Sequence, residues 1–391
     1  MNILTFNYEY PPIGGGGGVV HALIAEELAR RHRVFVVTSA AKGLPRREER
    51  AGTTILRVPV IGRQDMSAAS LTSMLTYPPG AWVLGGRLIR RERIDIVHSH
   101  FAVPTGPGSL PPSLVLRVPH VLSLHGGDIY DPSKRLSPHR LPIVRSAVRW
   151  TLRRSAAVVA QSKNTRENAR RWYGHRGPIE LIPLGIRQPT VPAVSRAELG
   201  LPESAFLGIT VGRLVKRKAL DVLIRALTSQ GLAGVHLIVV GDGPERSTLE
   251  ALGTELGLGE RLRFAGRVSE ERKWQLLQAA DAYLSTTMHE GFGLVYLEAM
   301  AAGIPVVTFD HGGQVDFLRE GETGYVVPAG DVEQLVSAIA KLVANPAEKK
   351  RMGETNRQLA PRHNIEECAA RYEELFSRLL QAQRGNAKAR S

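Results

Sequence analysis

The chain of 391 residues is 43% hydrophobic and 23% charged, with 39 glycines and 24 prolines, a composition that excludes a disordered or fibrous protein and provides for two or three domains. Its one cysteine, Cys368, excludes an intramolecular disulfide or a cysteine-based zinc site and is typical of a reducing compartment. The net charge is +14, and residues 1–190 hold 27 of the 51 basic but only 12 of the 37 acidic residues, which indicates an anionic partner for the first half.

Short apolar runs of β type alternate with helical patterns along the chain, which predicts an α/β fold with parallel sheets. A glycine run separates the first predicted strand from a helix around Val19–Arg31. The uncharged stretch between Asp65 and Arg87 is broken by prolines and hydroxyl residues, so no membrane-spanning helix is predicted. Since residues 1–7 lack a signal-peptide pattern, we expect a cytoplasmic protein. Strands in this half are predicted at Ile3–Phe6, Val34–Thr38, Thr54–Val58, Asp95–Ser99, His120–Ser123, Ala157–Ala160 and Ile179–Ile182.

A proline-rich segment near Pro183–Arg196 separates this series from a second one. We therefore predict two Rossmann-like, doubly wound domains that face each other across a cleft. The first comprises residues 1–185, the linker 186–200 and the second domain 201–362. A C-terminal helix, 363–391, is expected to cross back to the first domain and to end in a frayed tail from about Gln381. The second series of strands is predicted at Phe206–Val211, Val235–Val240, Leu262–Ala265, Ala282–Ser285, Pro305–Phe309 and Gly324–Val327.

Three loops that follow predicted strands carry candidate binding groups, because open parallel sheets bind ligands at the carboxyl ends of their strands. The glycine run Gly14–Gly18 permits close approach of a ligand to the backbone, although it matches neither a P-loop nor a clean dinucleotide motif. His125 lies in a His-Gly-Gly-Asp sequence directly after a strand. Arg213 and Lys218 flank a strand-to-helix turn where both could meet a diphosphate.

A fourth loop carries two glutamates in the sequence EGFGLVYLEAM, from Glu290 to Met300. The helix is expected to begin near Gly293, which places Glu290 at its mouth and Glu298 about 7 Å deeper along its axis. The backbone N–H groups of Phe292, Gly293 and Leu294 lie between the two carboxylates and favour an anion. This pattern predicts carboxylates that accept sugar hydroxyls beside amides that hold a phosphate.

With these motifs in order, the sequence resembles the retaining nucleotide-sugar glycosyltransferases of glycosyltransferase family four, which have the GT-B fold. The resemblance covers nearly the whole chain: after the glycine run come HGGD, GRLVKRKALDVLIRAL, VVGDGPE, EGFGLVYLEAMAAGIPVV and GGQVDFLREGETGYVV. Ala219 stands where the family usually has glycine, Asp316 where it usually has glutamate, and His289 precedes the first glutamate.

The resemblance implies a role for each matching position. Glu290 would bind hydroxyls of the donor sugar and Glu298 the ribose. Arg213 and Lys218 would hold the diphosphate with the amides of residues 292–294. The remaining implied positions are His125, reaching the donor sugar from the first domain; Gly15 or Gly16, over the phosphates; and Val268, with Gly266, beside the nucleobase.

Under this interpretation the enzyme transfers a sugar from a nucleoside diphosphate sugar to an acceptor hydroxyl with retention. The sequence contains no Asp-x-Asp pair, so we expect metal-independent transfer with no cofactor. A nucleotide-sugar epimerase of the same fold and a basic nucleic-acid-binding protein are the alternatives. The sequence contains no nucleic-acid-binding motif. It also lacks the ribose-binding acidic residue that an NAD-dependent oxidoreductase carries after its second strand, which argues against that class.

The basic first half also predicts a membrane-proximal acceptor. Basic residues far outnumber acidic ones from Lys134 to Arg187, and Arg145, Arg149 and Arg153 share one face of a helix expected to start near Pro142. An apolar stripe containing Ile143 is expected on the opposite face. We therefore expect a peripheral enzyme on an anionic membrane surface, acting on a lipid-linked or cell-envelope glycan.

Overall fold

A computed structural model describes residues 1–63, 69–134 and 136–388, which form fourteen strands and twelve α-helices. The strands are β1 Asn2–Phe6, β2 Arg33–Ser39, β3 Arg47–Arg50, β4 Thr53–Val58, β5 Ile96–His100, β6 His120–Leu124, β7 Ala157–Ala160, β8 Glu180–Leu181, β9 Phe206–Val211, β10 Val235–Val240, β11 Leu262–Gly266, β12 Ala282–Ser285, β13 Val306–Phe309 and β14 Gly324–Val327. The helices are α1 Gly16–Ala29, α2 Leu71–Arg91, α3 Thr105–Val115, α4 Pro142–Arg154, α5 Lys163–Tyr173, α6 Leu220–Ala226, α7 Arg246–Glu255, α8 Glu270–Ala279, α9 Leu294–Ala302, α10 Val332–Ala344, α11 Pro346–Leu359 and α12 Ile365–Lys388.

Unit 1 comprises Met1–Gly185 together with the chain from Ile365 onward. Its sheet has the order β3-β4-β2-β1-β5-β6-β7-β8, parallel except for the β3–β4 pair. Strands β5 and β6 are buried along their whole length, as expected for a parallel sheet covered on both faces. Helix α12 contacts α1 and buries Tyr372, whose hydroxyl lies 2.9 Å from Ser123 Oγ.

Unit 2 comprises Ile186–Asn364 and contains a fully parallel sheet with the order β11-β10-β9-β12-β13-β14. The order reverses direction at β9, since β10 and β12 lie on its two sides. An apolar cluster packs β10, β12 and β13 against α6, α7 and α10, with Leu237, Leu284 and Ile339 buried. The loops after β9 and β12 therefore lie together at the carboxyl edge, where such sheets bind ligands.

The two doubly wound sheets confirm the predicted fold class. Residues 186–200, predicted as a linker, belong to unit 2: the Arg196 side chain donates to Asp281 and to the carbonyl of Ala279, and Leu199 is buried. Helix α12 continues to Lys388, so the frayed tail predicted from Gln381 is wrong for residues 381–388, while 389–391 lie outside the described residues. Across the described ranges, no helix is both long and apolar enough to cross a bilayer.

Candidate functional site

The turn after β9 directs one of the two predicted cations inward. Residues Lys216–Lys218 form a short 3-10 helix, and Ala219 closes it in the left-handed region with φ of 44°. Lys218 Nζ consequently lies 2.7 Å from Oε2 of Glu290. Arg213 is exposed and makes no ion pair within the described part of the chain, so its guanidinium remains available to an anion.

Glu290 lies in the loop between β12 and α9 and is held by two cations. Besides Lys218, Arg217 places Nη1 3.6 Å from Oε1 of Glu290 and donates to the carbonyl oxygen of His289 at 3.0 Å. Burial alone would raise the pKa of Glu290, but Lys218 and Arg217 outweigh it and lower the pKa to about 2. Glu290 is therefore an anion at neutral pH, able to accept hydrogen bonds from hydroxyl groups.

The start of α9 depends on glycine. Gly293 precedes the first helical residue with φ of 95°, and a Cβ there would overlap the ring of Tyr296. Buried Phe292 packs against Phe317, 5.1 Å between ring centroids. The loop after β13 joins this structure, because Gly313 N–H donates to the carbonyl of Glu290 at 2.8 Å. Helix α9 begins at Leu294, and its first N–H groups have no acceptor within the helix.

Glu298 lies within α9 and pairs with a lysine from the neighbouring helix α8. Lys273 Nζ lies 2.8 Å from Oε1 of Glu298 and 2.8 Å from Oε2 of Glu270. Burial raises the pKa of Glu298, and Lys273 opposes that shift. Within the described residues the second oxygen, Oε2, is buried and has no hydrogen-bond partner. A buried acceptor without a donor is unfavourable, so this oxygen is suited to a hydroxyl of a ligand.

Gly266 ends β11 and Val268 follows it, at the same edge of the sheet. Gly266 is buried with φ of 68°, and Val268 is half-buried just before Ser269, the N-cap of α8.

The sequence missed Arg217 and Lys273 as partners of the two glutamates. The basic run of residues 216–218 signalled that one more cation was close by, but nothing in the sequence pattern pointed to Lys273.

The predicted histidine of unit 1 is half-buried, and both of its ring nitrogens have partners. His125 Nε2 lies 2.9 Å from His100 Nδ1, and His125 Nδ1 lies 2.5 Å from the side-chain nitrogen of Gln161. Its backbone N–H donates to Asp128 at 2.9 Å, which orders the loop. Burial lowers the pKa of His125 to about 3, so the ring is neutral at physiological pH.

The glycine run separates into packing positions and open positions. A Cβ on Gly17 would overlap the ring of Phe101, and that ring also packs 4.5 Å from His125. Gly15 and Gly16 are exposed at the start of α1, and a Cβ on either would meet open space. The structure thus brings the glycine run and His125 together around Phe101, with Gly15 and Gly16 on the accessible side.

Two of the three arginines on the predicted face of α4 donate hydrogen bonds to backbone carbonyls within unit 1. Arg145 Nε donates to the carbonyl of Trp172 at 3.0 Å and Arg149 Nε to that of Tyr173 at 3.2 Å. These carbonyls end α5, where a helix has unpaired acceptors and favours positive charge. Ile143, predicted to be on the packed side, is 87% exposed. The prediction that this arginine face is free to contact a membrane is therefore wrong for Arg145 and Arg149; Arg153 is exposed.

Two family models match the chain in succession. Residues 14–187 match Glycosyltransferase Family 4, and residues 193–359 match Glycosyl transferases group 1. The described ranges contain no group of three or more His, Cys, Asp or Glu residues that could hold a metal ion.

Relatives of described activity match over most of their length. The D-inositol 3-phosphate glycosyltransferase of Nocardia farcinica is 32% identical over 390 residues, covering 90% of this chain and 83% of that protein. The GDP-mannose-dependent alpha-(1-6)-phosphatidylinositol monomannoside mannosyltransferase of Mycolicibacterium smegmatis is 29% identical, covering 92% and 93%.

Solved structures share the fold. Sucrose-phosphate synthase from Thermosynechococcus elongatus superposes with a TM-score of 0.85 at 23% identity, covering 98% of this chain and 100% of that one. HepE of Anabaena, solved in complex with UDP-glucose, gives a TM-score of 0.73 at 22% identity over 96% and 99%. At these identities the likeness concerns the GT-B fold.

Proposed function

This chain is a glycosyltransferase of family four, and we propose that it moves a sugar with retention from a nucleoside diphosphate sugar to an acceptor hydroxyl on a lipid-linked or cell-envelope glycan. The observation that carries the donor assignment is the pair of half-buried glutamates on either side of the start of α9. Glu290 is ionised between two cations, and Glu298 presents an oxygen without a partner. Such oxygens suit the hydroxyl groups of a sugar and a ribose.

The diphosphate would be held by positive groups around these glutamates. Arg213 is exposed and makes no ion pair in the described chain, and Lys218 Nζ lies 2.7 Å from Oε2 of Glu290. Helix α9, with its first N–H groups, begins at Leu294, shortly after Glu290 in the chain. As the bond from the anomeric carbon to the diphosphate oxygen breaks, negative charge grows on that oxygen. Fixed positive groups stabilise such a charge more than they stabilise the ground state.

Retention would follow from a reaction on one face of the sugar. The acceptor oxygen forms its bond to the anomeric carbon on the side from which the diphosphate leaves, and the acceptor proton passes to the leaving oxygen. Glu290 is engaged by Lys218 and Arg217, which favours a binding role over that of a covalent nucleophile. His125, Gly15 and Gly16 are proposed to contact the donor from unit 1.

We propose that no metal or other cofactor is needed, since Arg213, Lys218 and the start of α9 provide the compensating charge. The acceptor class is supported by the uneven charge of the chain and by the phosphatidylinositol mannoside acceptor in the name of one relative. An anionic membrane surface on the cytoplasmic side is the proposed location, with no nucleic acid partner.

A donor screen tests the proposal. Thermal shift and hydrolysis with UDP-, GDP- and ADP-sugars should reveal one donor class, and NMR of the product should show the anomeric configuration of the donor. An inverted product would overturn retention. Conversion of the donor to an epimer without any acceptor would instead favour the epimerase alternative.

A further inference from the structure

One face of helix α2 carries large apolar side chains that point to solvent. Leu71, Leu75, Trp82 and Val83 are 63%, 68%, 50% and 55% exposed. Their spacing places them along one side of a helix. Exposed apolar residues are common singly, but a contiguous row of them marks an interaction site. We call these four residues the α2 stripe.

The opposite face fixes the helix in this orientation. Ser73, Tyr77 and Ala81 are fully buried, and the Tyr77 hydroxyl donates to the carbonyl of Val37 at 3.0 Å. A Cβ on Gly85 would come within 2.6 Å of the Phe6 ring, so the helix packs closely on the sheet. Rolling α2 to hide the stripe would break these contacts. The stripe is therefore held outward by the fold.

Charge is distributed unevenly along the helix. No charged residue occurs between Leu71 and Gly86, and the next turn begins a cluster of arginines. Arg87 and Arg90 are exposed and make no ion pair within the described ranges, whereas Arg91 pairs with Glu92 at 3.3 Å. An apolar row that contains a tryptophan and ends in free arginines is typical of a helix lying in a membrane interface.

We propose that the α2 stripe inserts into the surface of a lipid bilayer with anionic headgroups, with Arg87 and Arg90 against the lipid phosphates. The proposal rests on the membrane partner proposed above and assigns the contact to α2. The positive excess of residues 1–190 would attract the same surface over a longer range. A protein partner is less well matched, because the indole N–H of Trp82 is the one polar side-chain group of the stripe and the free charges beside it, Arg87 and Arg90, are of one sign.

Sedimentation of the full chain with vesicles tests this surface. Binding to mixed phosphatidylglycerol and phosphatidylcholine vesicles should exceed binding to phosphatidylcholine alone by at least about tenfold, and L71E/L75E should lower it by about tenfold. The L71Q/L75Q variant removes the apolar groups without adding charge and should also bind weakly. V343E, at a 38% exposed position of α10, is the matched control and should bind like the wild type.

Tryptophan emission in vesicles locates the contact. A blue shift and quenching by brominated lipid are expected, and W82F should lose most of both signals. Normal vesicle binding by both double variants would overturn the proposal. Lipid-independent self-association that L71E/L75E abolishes would also overturn it, since the stripe would then contact protein. A chain that binds vesicles through α2 but no nucleotide sugar would support this inference while contradicting the proposed donor.

Discussion

Lys218 Nζ lies 2.7 Å from Oε2 of Glu290, so the cation proposed for the diphosphate is already paired with the carboxylate proposed for the sugar. Arg217 lies 3.6 Å from the other oxygen of the same carboxylate. When the donor binds, its diphosphate can therefore replace Glu290 as the partner of Lys218, while Arg217 remains paired with Glu290. This arrangement keeps the carboxylate ionised before the donor arrives.

Loss of either proposed diphosphate cation should slow the chemical step. We expect Lys218→Ala and Arg213→Ala each to lower kcat by about 10²–10³, as the loss of a donor to a developing oxyanion does. Lys216→Ala changes an exposed lysine of the same turn and is the matched control. Steady-state kinetics with the identified donor provide the measurement. Wild-type turnover in either test variant would contradict its role.

Glu298 should distinguish ribose from deoxyribose. Its buried, unpartnered oxygen predicts that a donor lacking the contacted ribose hydroxyl binds the wild type about 10–100-fold more weakly, the range of a charged hydrogen bond. Glu298→Gln should bind the normal donor weakly and lose most of this discrimination. Calorimetric titration of the nucleotide and its 2′- and 3′-deoxy analogues measures the difference. Equal discrimination by both proteins would remove Glu298 from the ribose site.

Substitutions in the glycine run should separate effects on stability from effects on activity. Gly17→Ala forces a Cβ against Phe101 and should lower the free energy of unfolding by about 1–3 kcal/mol. Gly15→Ala and Gly16→Ala meet open space, so the melting temperature should stay nearly unchanged while kcat/KM falls by about tenfold or more. Paired melting curves and kinetics decide the assignment. Full activity in both of these variants would place the ligand elsewhere.

Unit 1 should lose stability as the pH falls below about 6.5. Burial strongly lowers the pKa of five histidines, so between pH 6.5 and about 3 the unfolded chain binds more protons than the folded one, and stability decreases as the pH falls. These residues are His21, His98, His100, His120 and His125.

One carboxyl group opposes this trend. Burial raises the pKa of Asp128 to about 6. Below pH 6 this carboxyl group therefore holds a proton more readily in the folded state than in the unfolded state. We expect a net uptake of about four protons on unfolding near pH 5. Denaturant melts of Trp274→Phe, in which the remaining tryptophans lie in unit 1, measure the slope. His98→Gln should reduce it by about one proton, and a stability independent of pH from 6.5 to 4 would contradict the prediction.

Chelation should leave sugar transfer unchanged. With Arg213 and Lys218 supplying charge to the leaving group, EDTA is expected to alter the rate by less than about twofold. The assay is product formation with and without chelator, followed by addition of Mg²⁺ or Mn²⁺. A large loss of rate that either ion restores would show that the metal-independent proposal is wrong.

The sequence predicted which strands end at the site, because each motif directly follows a β-type run and parallel strands share a carboxyl edge. It also located Glu290 and Glu298 relative to α9 from helix geometry alone. Pair partners were harder to predict. Which of Lys216, Arg217 and Lys218 faces inward depends on the left-handed residue Ala219, which has no signature in composition or spacing.

The arginines of α4 show the same limit at longer range. Their spacing correctly predicted a shared helical face, but Arg145 and Arg149 bind carbonyls at the end of α5. The position of that helix end is a tertiary property. A periodic pattern reports which residues share a face and not what the face contacts.

The position of α12 in the sequence implies an order in which the two units can fold during synthesis. Unit 2 is encoded between the two parts of unit 1, and the interior of unit 1 includes Tyr372 and Phe376 from the last helix. On a ribosome, therefore, unit 2 can fold while unit 1 still exposes the strand face that Tyr372 covers, including Ser123. Unit 1 is the half with the excess of positive charge, and it acquires its closed interior only after unit 2 has been synthesised.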